Sequence, residues 1–175
     1  MPLRREQVID EAVALLNEVG LDGFTTRALT DRLGVQRGAL YWHVKSKHEL
    51  LTAVAVKVVE PALRNWTATA DWPEAYTGFA QRLRTAMLAH RDGARLVASY
   101  IPGTPRTQAA MQEHLAGLAE LGIPPELAAR FGDTVASYVT GFVLQEQATG
   151  EQDPELFTAS VNTIILGMRA ELGTL

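Results

Sequence analysis

The chain has 175 residues, 47% of them hydrophobic, and a formal net charge of −4 at neutral pH. This length and apolar content suffice for one ordinary domain or two small ones, and they argue against intrinsic disorder. Cysteine is absent, which excludes disulfide bonds and thiolate metal sites and fits a cytoplasmic protein. The charged N-terminus predicts no secretory signal, and the lack of an apolar run of about 18 residues predicts no membrane-spanning helix.

The negative charge lies in the second part of the chain. Residues 1–50 hold seven basic and seven acidic residues, whereas residues 51–175 hold nine basic and thirteen acidic ones. The distribution of charge, rather than its total, decides whether a surface attracts nucleic acid. The overall acidity therefore does not exclude a DNA-binding segment near the N-terminus.

The first fifty residues predict three short helices. The first runs from about 4 to 19 on a helical apolar stripe, and Gly20 is expected to close it. The second follows Thr25, whose hydroxyl suits an N-cap, and ends at Gly34, because glycine takes the left-handed conformation without steric cost. The third spans about 37–44, with Leu40 facing inward.

Two short helices joined by a tight, glycine-containing turn are typical of the helix-turn-helix unit. The second helix of such a unit lies in the DNA major groove, with its first residues facing the base edges. Between positions 25 and 48 there are five basic residues and one acid, an excess that favours phosphate contact. The basic residues are Arg27, Arg32, Arg37, Lys45 and Lys47. The alternative is a generic helical hairpin with solvated charges.

The rest of the chain also predicts helices. A capping box over 46–49 opens a fourth helix, which Pro61 either kinks or ends. A connection over 66–72 precedes further helices at about 73–90, 94–100, 105–121, 126–149 and 154–172. The predicted fold is all-α. An N-terminal helix-turn-helix domain, residues 1–45, is joined by a linking helix to a second helical domain within residues 46–175.

The last two predicted helices carry apolar residues on more than one side, which a chain of this length has little other structure to cover. The simplest closure is a two-fold homodimer in which two helices from each subunit form a four-helix bundle. Its recognition helices should lie about 34–36 Å apart, to meet successive major grooves. The alternative is an entirely intramolecular core. Close helix approach is favoured by the small residues Ala136, Ser137, Gly141, Ala159 and Gly167.

The start of the third helix is expected to lie nearest the bases. Arg37 could pair bidentately with guanine, and Gln36 could either read adenine or cap the helix. Gly38 and Ala39 lack long side chains, so they permit close approach or touch a thymine methyl group. Contacts to phosphate, which fix register without reading sequence, are expected from Thr26, Arg27 and Lys47.

The run TTRALTDRLGVQRGALYWHVKSKHELL resembles the DNA-binding domain of the tetracycline-repressor (TetR) family of bacterial regulators, most specifically over Leu40–Lys47. The similarity is close over about residues 3–60 and looser beyond, where it includes Arg91-Asp92-Gly93. It implies a homodimer that binds a double-stranded DNA operator. It also implies that Tyr41, Trp42 and His43 pack against the DNA, although a core role is the alternative for Trp42.

The resemblance further implies that the second domain, residues 46–175, is an effector-binding and dimerisation domain. A small molecule would spread the two heads, with the fourth helix as lever, provided that it binds the released state more tightly. The residues expected to line the pocket are of types that also fill ordinary cores. They are Leu63, Trp66, Phe79, Leu83, Met87, Val97, Tyr100, Ile101, Met111, Leu115, Tyr138 and Phe142.

Tetracycline-binding members of the family hold a magnesium–tetracycline complex with histidine and acidic groups. By alignment through Arg91-Asp92-Gly93, the position of the metal-binding histidine is Val97, and a pocket histidine falls at Leu63. A polar asparagine falls near Phe79, and an acidic position near Gln145. Magnesium prefers oxygen ligands and waters, so we expect an apolar or aromatic effector, no metal or other cofactor, and no tetracycline response. The recognition positions also differ, which predicts a different operator.

Enzyme signatures are not apparent in the sequence. The four histidines are scattered, and His43 and His48 are five residues apart, off the helical face used by zinc sites. Arg91-Asp92 could be a catalytic pair, but a structural salt bridge near a helix end is the preferred interpretation. We expect no catalytic residue. The remaining alternative to a regulator is a helical ligand-binding or dimer-interaction protein without specific DNA binding.

Overall fold

The computed structural model describes residues 3–64, 71–101 and 105–173, with backbone only at 105–107, 110 and 111, and these ranges contain helices but no strand. The all-α prediction is confirmed. None of the helices within these ranges combines the length and apolar character needed to cross a bilayer. In chain order they are α1 (Arg5–Gly23), α2 (Thr26–Leu33), α3 (Arg37–Tyr41), α4 (Lys47–Leu63), α5 (Trp72–Leu88), α6 (Gly93–Tyr100), α7 (Pro105–Glu120), α8 (Pro125–Thr149) and α9 (Pro154–Leu172).

Helices α1 to α3 form a small head around their own core. Leu16, Phe24, Leu29 and Leu40 are fully buried there. The predicted ends of α1 and α3 are wrong by a few residues. Gly20 has φ +72° and interrupts α1, but a further helical turn continues to residue 23, and α3 ends at 41 rather than 44.

The predicted caps at the two ends of α2 are confirmed. The Thr25 hydroxyl accepts a hydrogen bond from the Ala28 amide at 3.1 Å, which satisfies one free donor at the start of α2. Gly34 ends α2 in the left-handed conformation at φ +65°. These two local signals set the length of α2 and therefore where the turn delivers α3.

Helix α4 links the head to the second domain, since it contacts α1 as well as α5 and α6. Its first turn is capped by Ser46, whose hydroxyl accepts from the Glu49 amide at 3.0 Å. The Glu49 carboxylate returns to the amide of Lys45 at 2.8 Å, one residue before the usual capping-box partner. Pro61 does not stop α4 at once, because the helix continues to Leu63.

The second domain packs α5 and α8 against each other, with α4, α6, α7 and α9 around them. The buried Tyr76 hydroxyl donates to the Ala128 carbonyl at 3.0 Å and joins the two central helices. A buried ion pair joins them again, because Arg84 donates to both carboxylate oxygens of Glu146 at 2.9 and 2.5 Å. The Glu146 carboxylate also accepts from the Asp153 amide at 3.1 Å, which holds the short turn between α8 and α9.

Candidate DNA-binding surface and effector region

The recognition helix α3 has one anchored face and one open face. Leu40 is fully buried, and Val44, just beyond the end of the helix, is 2% exposed, so these two residues hold this segment on the head. On the open face Tyr41 is 37% exposed and Trp42 is 90% exposed. A core role for Trp42 is therefore excluded, while His43 is half-buried beside it.

The first turn of α3 leaves its outer surface unobstructed. Gln36 occupies the N-cap position, but its side chain makes no capping hydrogen bond, so the capping alternative is wrong for this residue. A Cβ atom placed on Gly38 would meet nothing within 4 Å, and Ala39 is half-buried. The predicted base-reading positions thus form one accessible strip that begins at the N-terminus of the helix.

Arg37 and Tyr41 are paired along this strip. The guanidinium donates to the Tyr41 hydroxyl at 3.4 Å, and its carbon lies 5.7 Å from the centre of the phenol ring. Hydrogen bonding from Arg37 lowers the pKa of Tyr41 from its ordinary value. The two side chains therefore interact within the recognition helix, four residues apart.

The basic residues of the head are not equally available to DNA. Arg32 binds Glu11 at 2.7 Å and Glu18 at 2.6 Å on α1, so counting it in the DNA-facing charge was wrong. Arg27 is far more exposed and lies 3.9 Å from Asp31. The Lys47 ammonium donates to the Phe24 carbonyl at 2.6 Å while the residue stays exposed, which fixes its place at the base of α4.

The predicted effector residues divide into two groups in the structure. Phe79, Leu83, Met87 and Val97 are buried in the core between α5 and α6 and their neighbours. Partly buried residues pack against that core at Leu63, Tyr100, Ile101 and Leu115. Trp66 and the side chain of Met111 lie outside the described residues.

Tyr138 and Phe142 lie on a different flank of α8. Their rings are 6.0 and 5.3 Å from the ring of Phe157 on α9, whereas Gln147 turns the other flank of α8 toward the α5–α6 turn. These two aromatic residues pack against the same core as Val97, but their ring contacts are with α9, and their role as lining residues stays a prediction. Neither of two surface grooves, of about 540 and 420 Å³, includes any predicted lining residue.

A buried histidine in this domain was missed as a site residue. His114 on α7 is 1% exposed, and its ring meets the edge of Tyr76 at 5.2 Å. Burial lowers the pKa of His114 to about 4, so the imidazole is neutral at physiological pH. Its helical spacing from the buried Leu118 is the sequence signal that could have placed it inside.

The turn between α5 and α6 binds the end of α1. The Asp92 carboxylate accepts from the Leu21 amide at 2.7 Å, and Arg91 donates to the Glu18 carbonyl at 2.7 Å. The preferred interpretation of Arg91-Asp92 as a mutual salt bridge is wrong, since both side chains hold the backbone of the head. Gly20 fits here because a Cβ atom would lie 2.7 Å from the Asp92 carboxylate.

Helix α6 strengthens this contact, which we call the head latch and define by Asn17, Asp22, Arg91, Asp92 and Arg95. Arg95 forms two hydrogen bonds to Asp22, at 2.7 and 2.6 Å. The Asn17 side chain accepts from the Arg91 amide at 3.1 Å. The helix that buries Val97 in the second domain thus also holds the head.

Comparisons with known proteins bear on both domains. The family described as bacterial regulatory proteins, tetR family, matches residues 8–54, and the tetracyclin repressor-like C-terminal domain matches residues 67–170. The class A tetracycline repressor protein from transposon 1721 of Escherichia coli is 42% identical over 153 residues, covering 86% of this chain and 70% of the relative.

Two solved structures have the same fold. TetR(class A) in complex with 5a,6-anhydrotetracycline and magnesium is 36% identical, with a TM-score of 0.80 over 96% of this chain and 99% of that one. The Streptomyces coelicolor TetR family protein ActR in complex with (S)-DNPA is 25% identical, with a TM-score of 0.87 over 98% of this chain and 99% of that one. The chain is therefore a DNA-binding transcriptional regulator and belongs to the TetR family.

Proposed function

We propose that the protein represses transcription in the cytoplasm by binding an operator as a two-fold homodimer, and that a small, largely apolar effector releases it. The observation that carries the DNA-binding part is the open face of α3. That helix is anchored by Leu40 and presents Arg37 and Tyr41 to the outside, and Trp42 at its C-cap is exposed beside them. Among the predicted phosphate contacts, Arg27 and Lys47 are exposed beside it, and Thr26 is half-buried.

The dimer is supported by an uncharged stripe on the outer faces of α8 and α9. Its residues are exposed in the protomer, and all are small or apolar, so water contact is unfavourable for the larger ones. Leu144 is 44% exposed, Leu156 is 53% exposed and Leu166 is 63% exposed. The stripe comprises Ser137, Gly141, Leu144, Ala148, Leu156, Ala159, Thr163, Leu166, Gly167 and Ala170.

The effector proposal rests on the core beside the head latch. Val97 is 6% exposed on α6, with Phe79, Leu83 and Met87 of α5 in the same core cluster. These side chains offer no oxygen or nitrogen to a metal, so an effector bound among them would be recognised mainly through apolar contact. The two ligand complexes among the similar structures carry different ligands, one of them with magnesium.

Release would follow from movement of α6. An effector that displaces Val97 can favour the released state only if that state binds it better. Because α6 carries Arg95 of the head latch as well as Val97, a shift of this helix would change how the head is held. We place the domain boundary at 45/46, where Ser46 caps α4, with the head in residues 1–45 and the effector-binding and dimerisation domain in residues 46–175.

Binding to duplex DNA is expected to weaken steeply as salt rises. Each phosphate neutralised by a lysine or arginine releases counterions, so a protein that makes 6–10 phosphate contacts loses about 10³- to 10⁵-fold in affinity between 50 and 200 mM salt. Fluorescence anisotropy with a labelled duplex, repeated over a salt series, measures the slope. A weak and flat response would instead favour the helical interaction protein without specific DNA binding.

Magnesium is expected to have no effect on the effector response. We expect 5a,6-anhydrotetracycline, with magnesium or with a chelator, to leave the protein on its operator, because Val97 and Leu63 provide no metal ligand. Operator release followed by gel shift, together with fluorescence of the compound, gives the result. Tight binding that requires magnesium would contradict the apolar-effector proposal while leaving operator binding intact.

A further inference from the structure

We propose that Tyr41 is a positioning residue for base recognition: its ring and hydroxyl hold the Arg37 guanidinium so that it reads one guanine in each operator half-site. The inference rests on the proposed operator binding and deepens it by naming the base and the device that selects it. It concerns the pair of side chains along one face of α3, four residues apart.

The geometry leaves the donors of Arg37 available. The Tyr41 hydroxyl accepts a single hydrogen bond from one terminal nitrogen of the guanidinium, at 3.4 Å, and the ring lies beside the group with 5.7 Å between the guanidinium carbon and the ring centre. Arginine carries several N–H donors in a planar fork, and a pair of them matches the O6 and N7 acceptors of guanine in the major groove. Tyr41 therefore contacts one side of the Arg37 guanidinium, and the remaining N–H donors stay available to a base.

Arg37 differs in this from the other arginines of the head. Arg32 forms salt bridges with Glu11 and Glu18, and Arg27 lies near Asp31. No carboxylate lies within salt-bridge distance of Arg37 among the described side chains. No neighbouring carboxylate offsets the charge of a guanidinium that is held by an aromatic ring. Such a guanidinium can therefore bind DNA without first breaking an ion pair.

The tyrosine is itself held in place. Its backbone follows directly on the fully buried Leu40, which fixes the end of α3 on the head. Tyr41 therefore limits the positions that the Arg37 side chain can take relative to the packed core of the head. A Cβ atom on the neighbouring Gly38 would have no atom within 4 Å. The space beside Arg37 is therefore open to an approaching base pair.

The test begins by selecting bound duplexes from a random pool with the intact protein. Each base pair of the best duplex is then replaced in turn, and affinities are measured for the wild type, Arg37→Ala, Tyr41→Phe, Tyr41→Ala and the double alanine variant. We expect one G·C pair per half-site at which the wild type discriminates by about 5- to 150-fold, the range of a good bidentate contact. Arg37→Ala should abolish that preference.

The tyrosine variants separate positioning from a merely structural role. Tyr41→Phe keeps the ring and should lose part of the guanine preference, whereas Tyr41→Ala should lose most of it. The double variant should lose no more than Arg37→Ala at that base pair, because the two residues act as one unit. Lys45→Ala, which removes an exposed charge from the loop after α3, should weaken binding to every duplex by the same factor.

As a control, thermal unfolding of each variant is measured, and we expect it to show that the head remains folded. The inference is overturned if no guanine preference depends on Arg37. It is also overturned if Tyr41→Ala lowers affinity for all duplexes equally and leaves the preference unchanged. A protein that selects no duplex at all overturns the proposed function as well, so the two failures are distinguishable.

Discussion

Replacing both Gly141 and Gly167 with glutamate is expected to separate the protomers and to lower operator affinity by about 10²- to 10⁴-fold, the gain that a second linked contact typically supplies. Both glycines lie on the uncharged stripe of α8 and α9, and a Cβ atom on either would meet nothing within 4 Å inside one protomer. Glutamate also favours an exposed helix over glycine by about 0.5–1 kcal/mol. The fold of the single chain should therefore survive while its pairing is lost.

The measurements are molar mass by light scattering, helicity by circular dichroism and operator affinity. A matched control adds the same two charges on α7, as Ala109→Glu with Ala116→Glu, where both residues are exposed and outside the stripe. The control should remain dimeric and keep its affinity. A double-glutamate variant that remains dimeric would place the protomer contact elsewhere, and a monomer that retains full affinity would refute the requirement for two heads.

The elements of the fold that depend on local signals could be read from the sequence. Thr25, Gly34 and Ser46 define helix ends through bonds within a few residues, so their chemistry is visible in the sequence itself. The last helix was predicted at its observed bounds, because Asp153-Pro154 begins it and the apolar period continues without interruption. The predicted end of α1 at Gly20 is wrong, because this one residue with positive φ interrupts the helix without ending it.

The partners of side chains could not be read in the same way. Arg32 fits a positive DNA-facing stretch as well as it fits an ion pair, and only the folded head shows that Glu11 and Glu18 are in reach. Tyr138 and Phe142 have apolar neighbours on both flanks of α8, so the helical period does not decide which flank meets α9.

The head latch joins residues about seventy positions apart, and no local pattern predicts such a contact. The motif Arg91-Asp92-Gly93 contains two residues of the head latch, and Asp92 takes the left-handed conformation there at φ +56°. A Cβ atom on Gly93 would lie 2.2 Å from the Met87 carbonyl, which explains the glycine. The sequence thus contained the residues of the latch, but only the fold shows what they hold.

Glu146→Gln is expected to lower the free energy of unfolding by about 3–5 kcal/mol, a large part of the 5–15 kcal/mol that stabilises a typical domain. The side chain is 5% exposed and accepts from Arg84, which is 8% exposed, and from the Asp153 amide. The substitution removes the negative charge and leaves a buried guanidinium uncompensated. Arginine cannot escape this cost by losing its proton, because its pKa is too high. Chemical denaturation of the variant and the wild type measures the difference.

The exposed pair Arg130–Glu171 provides the control, because it also joins α8 to α9. At the surface such a pair contributes about 0–1 kcal/mol, so Glu171→Gln should change stability little. A second comparison replaces the buried pair with apolar residues, as Arg84→Met with Glu146→Leu, and should recover most of the loss, since no charge is then left in the core. If Glu146→Gln costs no more than Glu171→Gln, water reaches the guanidinium, and the α5–α8–α9 junction is looser than its hydrogen bonds indicate. Recovery by the apolar pair together with weakened dimerisation would show that the ion pair sets the orientation of α9 more than it stabilises the protomer.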